Sequence, residues 1–250
     1  MLEGKTFWLT RPEGQFESLQ ASLQDRGAIG VSLPMLAIEP LEPDATIKDR
    51  VLNLDHFDLL FFVSTNAAKL GMALINDYWP QFPVQISLYA VGPTTAGVLE
   101  DFGLNAEYPR ERMSSEAMLA LESLQNIEGK KALIIRGVGG RELLAADLIK
   151  RDADVQYLEI YRRECPAYEP GEVKAILSRQ NPDGVIVTSA EALENLGSLL
   201  ERDSCALADI PLFVSSERIA ALAAQSGFEN TVTMTGADDD SIIQGLEQNF

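Results

Sequence analysis

The chain is poor in residues that carry strong acid–base or metal chemistry. It has one histidine, His56, and two cysteines, Cys165 and Cys205. A zinc site takes four clustered nitrogen and sulfur ligands, and these residues cannot supply them. His56 stands between Asp55 and Phe57, just ahead of an apolar run, and reads as a peripheral loop residue rather than a general base. What the sequence offers instead is a series of small polar turns. Arg136-Gly137-Val138-Gly139-Gly140-Arg141-Glu142 follows an apolar run and leads into a helical pattern. It falls short of a dinucleotide fingerprint, because Glu142 occupies the place of the third glycine. No complete phosphate loop, Gly-x-x-x-x-Gly-Lys-Ser/Thr, occurs, which disfavours a nucleotide-dependent transferase. A glycine-rich turn with free N–H groups at a helix start, flanked by two arginines, suits a carboxylate. The alternative is a plain tight turn.

Four further turns share this character: Ser64-Thr65-Asn66-Ala67-Ala68, Gly92-Pro93-Thr94-Thr95-Ala96, Thr188-Ser189-Ala190 and Ser215-Ser216-Glu217-Arg218. Each follows a valine-ended apolar run and opens a helical one. Routine capping explains any one of them. Together they describe a site rich in hydrogen-bond donors and without a strong acid–base pair.

The elements that must position these turns alternate along the chain. Short apolar runs at 5–10, 58–63, 87–91, 131–136, 184–187 and 212–214 read as strands. Apolar residues spaced at three and four predict helices over 13–26, 64–78, 94–102, 114–124, 141–150, 191–201, 217–225 and 241–248. The acidic run 238–240 suits the positive end of the last helix. Such alternation implies parallel sheets covered on both faces, with ligands beyond the carboxyl ends of the strands.

The pattern also repeats at an offset of 125 residues. Arg11 matches Arg136; Glu17, Leu19 and Leu23 match Glu142, Leu144 and Leu148; Asp58, Ser64 and Ala67 match Asp183, Ser189 and Ala192. This suggests two copies of one α/β unit, with convergent α/β patterning as the alternative. Two such domains facing each other would form a ligand cleft.

Composition bounds the function. The chain has 250 residues, 46% hydrophobic and 23% charged, and a formal net charge of −18. The length allows two domains of ~120 residues each. The charge argues against a nucleic-acid partner, since phosphate contact needs a basic face. An anionic ligand would need local positive potential from arginines, helix starts and backbone N–H groups. No apolar run is long enough to span a bilayer, the first residues do not read as a signal peptide, and the isolated cysteines suit a reducing compartment. A cytoplasmic protein is expected.

Taken in order, several segments resemble the uroporphyrinogen-III synthase family over nearly the whole chain. They are Leu9-Thr10-Arg11-Pro12, Phe62-Val63-Ser64-Thr65-Asn66-Ala67-Ala68, Ala90-Val91-Gly92-Pro93-Thr94-Thr95-Ala96, Tyr108-Pro109, Ser114-Ser115-Glu116, Ile135-Arg136-Gly137, Glu159-Ile160-Tyr161-Arg162-Arg163 and Val187-Thr188-Ser189-Ala190. The resemblance implies an α/β fold of two similar domains, each a parallel sheet flanked by helices, joined by a two-stranded linker with the ligand cleft between them. One domain would be discontinuous, 1–36 plus 167–250, and the other would span 42–158, with linkers near 36–41 and 159–166. It implies cyclisation of hydroxymethylbilane to uroporphyrinogen III by a monomer, without metal or organic cofactor and without a membrane or nucleic-acid partner. By the same resemblance Tyr161 is the catalytic candidate, a phenol that meets the departing hydroxyl. Arg11, Ser64, Asn66, Gly92, Thr95, Arg136, Gly137, Ser189, Ser215 and Arg218 would bind substrate. Some members carry a second Gly-Pro-Thr-Thr-Ala-like turn where this chain has Ser215-Ser216-Glu217-Arg218, and Glu217 there would repel a carboxylate. The competing reading is a hinged two-domain binding protein for a small anion, without catalysis.

Overall fold

The computed structural model describes residues 2–110, 114–140, 142–207 and 210–250. In chain order the elements are β1 (Thr6–Leu9), α1 (Glu17–Gln24), β2 (Ile29–Ser32), β3 (Ala37–Pro40), α2 (Ala45–Leu52), β4 (Leu59–Phe62), α3 (Thr65–Tyr78), β5 (Ser87–Ala90), α4 (Pro93–Asp101), α5 (Ser115–Leu119), β6 (Lys131–Gly137), α6 (Leu143–Lys150) and β7 (Asp154–Glu164). There follow α7 (Glu172–Gln180), β8 (Gly184–Val187), α8 (Ala190–Arg202), β9 (Leu212–Val214), α9 (Glu217–Gln225), β10 (Thr231–Thr233) and α10 (Asp239–Glu247). The chain divides into unit 1, Met1–Ala37 with Glu164–Phe250, and unit 2, Ile38–Arg163.

Each unit holds one five-stranded sheet, ordered β10-β9-β8-β1-β2 in unit 1 and β3-β7-β6-β4-β5 in unit 2. The pairings of β1 with β2 and β8, and of β4 with β5 and β6, are parallel. Strands buried on both faces must be apolar throughout, and β4 is Leu59-Leu60-Phe61-Phe62, buried at every position. Leu60, Phe62, Leu133 and Ile135 pack with Val51 of α2, Met72 of α3 and Leu99 of α4. Phe61 and Ile134 face the other way, onto Met118 of α5 and Leu148 of α6. In unit 1, Trp8, Val185 and Val214 pack with α7, α8 and α9, while Phe7, Ile186 and Phe213 pack with α1 and α10.

The two units repeat each other at the level of single contacts. Strands β1 and β6, β2 and β7, β4 and β8, and β5 and β9 each begin 125 residues apart, and they occupy equivalent sheet positions. Asp183 accepts from the Thr6 N–H at 2.9 Å and from Lys5 Nζ at 2.9 Å. Its counterpart Asp58 accepts from the Lys131 N–H at 2.9 Å and from Lys130 Nζ at 3.0 Å. Convergent patterning does not reproduce a paired carboxylate, ammonium and amide at one offset, so the duplication read from sequence is a property of the folded units.

Two helices are shorter than expected. Helix α1 begins at Glu17 rather than residue 13, because Gly14 is left-handed at φ 76° and the Gln15 N–H donates to the Pro12 carbonyl. Helix α5 ends at Leu119, where residue 124 was expected; Leu121 is extended, with ψ 139°. The carbonyls freed there are taken up from outside the helix. Gln125 donates to Leu119 and Leu121, and Arg151 to Leu119 and Leu124. The acidic run forms a cap as expected: Asp238 accepts from the Ser241 N–H and opens α10.

Helix α7 is anchored by a carboxylate from outside its own first turn. Asp203 accepts from the N–H groups of Gly171, Val173 and Lys174 and from Arg202 Nε. The Arg202 guanidinium, then these amides, hold its carboxyl down at about 2, from an ordinary value of 3.8. A depressed folded value adds stability above pH ~4 that is lost as pH falls toward 2. We expect Asp203→Asn to lower the urea midpoint at pH 7 and to flatten its fall between pH 4 and pH 2, read by circular dichroism. A variant whose midpoint tracks the parent over that range would contradict this.

Candidate active site

The strand ends of unit 2 bring its polar turns side by side. Strand β4 lies between β5 and β6, with Phe62 opposite both Ala90 and Ile135. The Ser64 turn therefore has the Gly92 turn on one side and the Gly137 turn on the other. Ser64 caps α3 by accepting from the Ala67 N–H at 3.0 Å. Asn66, partly exposed, is the second residue of that helix. Gly92 caps α4 with no side chain, so the first amides of α4 have no side-chain cap. Thr95, the third residue of α4, is buried at 3% exposure.

Tyr161 reaches this edge through a break in strand regularity. Along the β6–β7 pairing Arg136 opposes Glu159, but Gly137 opposes Tyr161, so Ile160 is an extra residue. Strict alternation would send Ile160 and Tyr161 to opposite faces; a bulge redirects the side chain. Both accordingly belong to the same apolar cluster. The Tyr161 ring lies against Gly137 so closely that a Cβ there would stand 2.5 Å from its Cε2. The phenol oxygen is 3.0 Å from Ser64 Oγ.

Beside this pair is a cavity of about 370 Å³, lined by Ser64, Ser115, Arg136, Gly137, Tyr157, Tyr161 and Arg163 among others. Arg136 is only 4% exposed. Its Nε donates to the Gly137 carbonyl at 3.2 Å, and its Nη1 meets Glu142 Oε1 at 3.1 Å. Glu159 Oε1 stands 3.9 Å from Nε, and the guanidinium stacks on the Tyr157 ring at 4.7 Å. Its Nη2 is buried without a partner among the described residues. The Tyr157 hydroxyl donates to the second oxygen of Glu142. That bond, with Arg136, holds the Glu142 carboxyl below its usual value, while burial and then Glu142 push Tyr157 up to about 12. Gly139 and Gly140 are both left-handed, at φ 72° and 101°, and shape the turn over Arg136. Arg141, expected to flank it, lies outside the described residues.

Unit 1 gathers its own turns after β1, β8 and β9. Arg11 is occupied differently from the expectation that it faces a ligand. Its guanidinium is engaged by Asp239 Oδ1 at 2.6 Å and by the carbonyls of Gln15 and Ala237, which tie the β1 turn to α10. Ser189 caps α8, and Ser216 caps α9. Ser215 donates to the Thr188 carbonyl at 3.0 Å, joining two neighbouring turns. Arg218 and Glu217 are exposed at the start of α9.

Ser64, Arg136, Gly137 and Tyr161 thus meet at one cavity. Asn66, Gly92 and Thr95 lie on adjoining turns of the same sheet, and Arg11, Ser189, Ser215 and Arg218 belong to unit 1. Sequence reading missed Tyr157 and the role of Glu142. Tyr157 stands four residues before Tyr161 in one strand, which hinted at a shared edge; nothing local announced its bond to Glu142. His56 is exposed and precedes β4, at the strand end opposite these turns. Among the described residues no three His, Cys, Asp or Glu side chains converge as a metal site requires, and no helix is long and apolar enough to cross a membrane.

Comparison with known proteins gives a consistent result. The family model described as uroporphyrinogen-III synthase HemD matches residues 17–244. The chain is 35% identical over 242 residues to the uroporphyrinogen-III synthase of Salmonella typhimurium, covering 96% of this chain and 98% of that one. It is 34% identical over 245 residues to the Escherichia coli enzyme, with the same coverage. Among solved structures, a mutant uroporphyrinogen III synthase from the extremely thermophilic bacterium Thermus thermophilus shares the fold at TM-score 0.61 and 19% identity, covering 98% of each chain. The Helicobacter pylori protein does so at TM-score 0.61 and 15% identity, covering 98% of this chain and 99% of that one.

Proposed function

This chain belongs to the uroporphyrinogen-III synthase family, and we propose that the strand-end turns described above are the groups with which it performs that family's reaction. The activity is that of a cyclising lyase of tetrapyrrole and haem biosynthesis. It closes hydroxymethylbilane to uroporphyrinogen III with loss of water and inversion of ring D. A non-catalytic binding role is not favoured.

The substrate is a flexible chain of four pyrroles bearing acetate and propionate groups. An acidic protein can hold it only where donors are concentrated, which describes the unit 2 edge. The amides at the uncapped start of α4, the Ser64 and Asn66 side chains and Arg136 supply carboxylate partners. The turns of unit 1, with Ser189, Ser215 and Arg218, supply a second set of donors. Arg11 serves there by ordering the first turn of α10. Fixing the chain in a coiled form raises the effective concentration of its ends.

Tyr161 is the group proposed to act on the leaving hydroxyl. Its phenol donates a proton as the C–O bond breaks, releasing water. Ser64, 3.0 Å away, orients the phenol and can share the proton. Closure then proceeds onto the substituted carbon of ring D, through a spiro intermediate, rather than to the symmetric isomer. The single observation that carries this reading is the convergence of Tyr161, Ser64 and Arg136 on one cavity. The test is product identity. Hydroxymethylbilane incubated with the protein, then oxidised and resolved by chromatography, should give the type III isomer in excess. An isomer mixture identical to the protein-free control would defeat the proposal. A cytoplasmic monomer belongs to the same proposal, with 27.4 kDa as the expected mass in sedimentation.

A further inference from the structure

We infer that Glu142 is a resident carboxylate that pairs with Arg136 and yields it to a carboxylate of the substrate, so that Glu142 sets how tightly substrate is held. The inference rests on the proposed substrate site in unit 2. Three observations carry it. First, Arg136 is left short of partners. It is 4% exposed, yet Nη2 has none among the described residues, and a buried donor without an acceptor is costly to keep. Second, the acceptor that Nη1 does have is loosely held. The Glu142 side chain is 67% exposed, and it is held only by Arg136 and the Tyr157 hydroxyl among the described residues. It can turn into water at little cost. Third, the turn over Nη2 is kept clear. A Cβ at Gly140 would stand 2.8 Å from Nη2.

The repeat partner shows the contrast. Arg11, at the equivalent strand end of unit 1, is bound by Asp239 and by two carbonyls. Duplication thus supplied two strand-end arginines; one is closed into structure, the other is kept incomplete. Glu159 already stands near Arg136 at 3.9 Å. A ligand carboxylate arriving while Glu142 remained would set three anions around one guanidinium. Exchange of Glu142 for the ligand avoids this and satisfies the guanidinium. Glu142 is therefore a positioning and specificity residue, distinct from the group that transfers the proton.

The test measures KM and kcat with hydroxymethylbilane on the full chain, and the dissociation constant of uroporphyrin I, an unreactive octacarboxylate, by fluorescence quenching. Glu142→Gln keeps the shape and removes the charge. It should lower both KM and the porphyrin dissociation constant roughly threefold to tenfold, with kcat unchanged. Arg136→Gln should raise both by roughly tenfold and abolish the effect of Glu142→Gln in the double variant. Arg136→Lys, which keeps the charge, serves if Arg136→Gln does not fold. If Glu142→Gln leaves both constants at parent values or raises them while Arg136 variants weaken binding, the resident-carboxylate idea fails and the substrate site stands. If Arg136 variants alter neither constant, the site itself is misassigned and both readings fall.

Discussion

Gly137→Ala should lower turnover by roughly a hundredfold, an effect out of proportion to one methyl group. The reason is the bulge. It seats the Tyr161 ring on the bare Cα of Gly137, and a methyl there would lie 2.5 Å from Cε2 and 2.7 Å from Cζ. Those atoms belong to a rigid ring, so the ring itself must move. Tyr161 is 4% exposed and packed among β4, β6 and α3, so the displacement also strains the core. Overpacking of this kind costs about 1–3 kcal/mol. The hydroxyl then loses its 3.0 Å relation to Ser64. Stopped assays of water-releasing closure, alongside thermal melting, check both parts. Near-parental turnover with a lowered melting temperature would mean that ring placement does not govern the chemistry.

Tyr161→Phe should lower kcat by roughly tenfold to a hundredfold while KM changes little. The hydroxyl oxygen is the only heavy atom lost, and the ring keeps its packing against Gly137, so melting should shift by no more than a hydrogen bond, about 1 kcal/mol. The two substitutions share one target. Gly137→Ala placed on Tyr161→Phe should therefore cost far less turnover than it does alone. Full additivity of the two losses would show that Gly137 acts through something other than the phenol. Parental kcat in Tyr161→Phe would remove its assigned role.

Much of the frame was legible because it depends on short-range chemistry. Gly184–Val187, Leu212–Val214 and Glu217–Gln225 formed over the residues their apolar spacing predicted. Ser64, Ser189 and Ser216 announce helix starts because a hydroxyl can reach an amide two or three residues on. The site was legible only in part, because its decisive features join distant residues. The extra residue at Ile160 is visible only when β7 is laid against β6. The engagement of Arg11 by Asp239 spans 228 residues, and the pairing of Tyr157 with Glu142 spans 15, across helix α6. No local window reports which arginine of a repeated pair will be closed and which left open.

The division of unit 1 between the two ends of the chain has a consequence for birth on the ribosome. Strand β1 sits between β2 and β8, and β8 begins at Gly184. Unit 2, Ile38–Arg163, is contiguous and can fold as soon as it emerges. The first 37 residues cannot. At roughly 5–20 residues per second they wait on the order of ten to thirty seconds for β8. Through that interval Phe7, Trp8 and Leu9, all without exposed surface in the finished protein, lack their β8 neighbour and the later part of their core. Early in synthesis, this amino-terminal pairing of strand and helix is the segment on which a holdase would act.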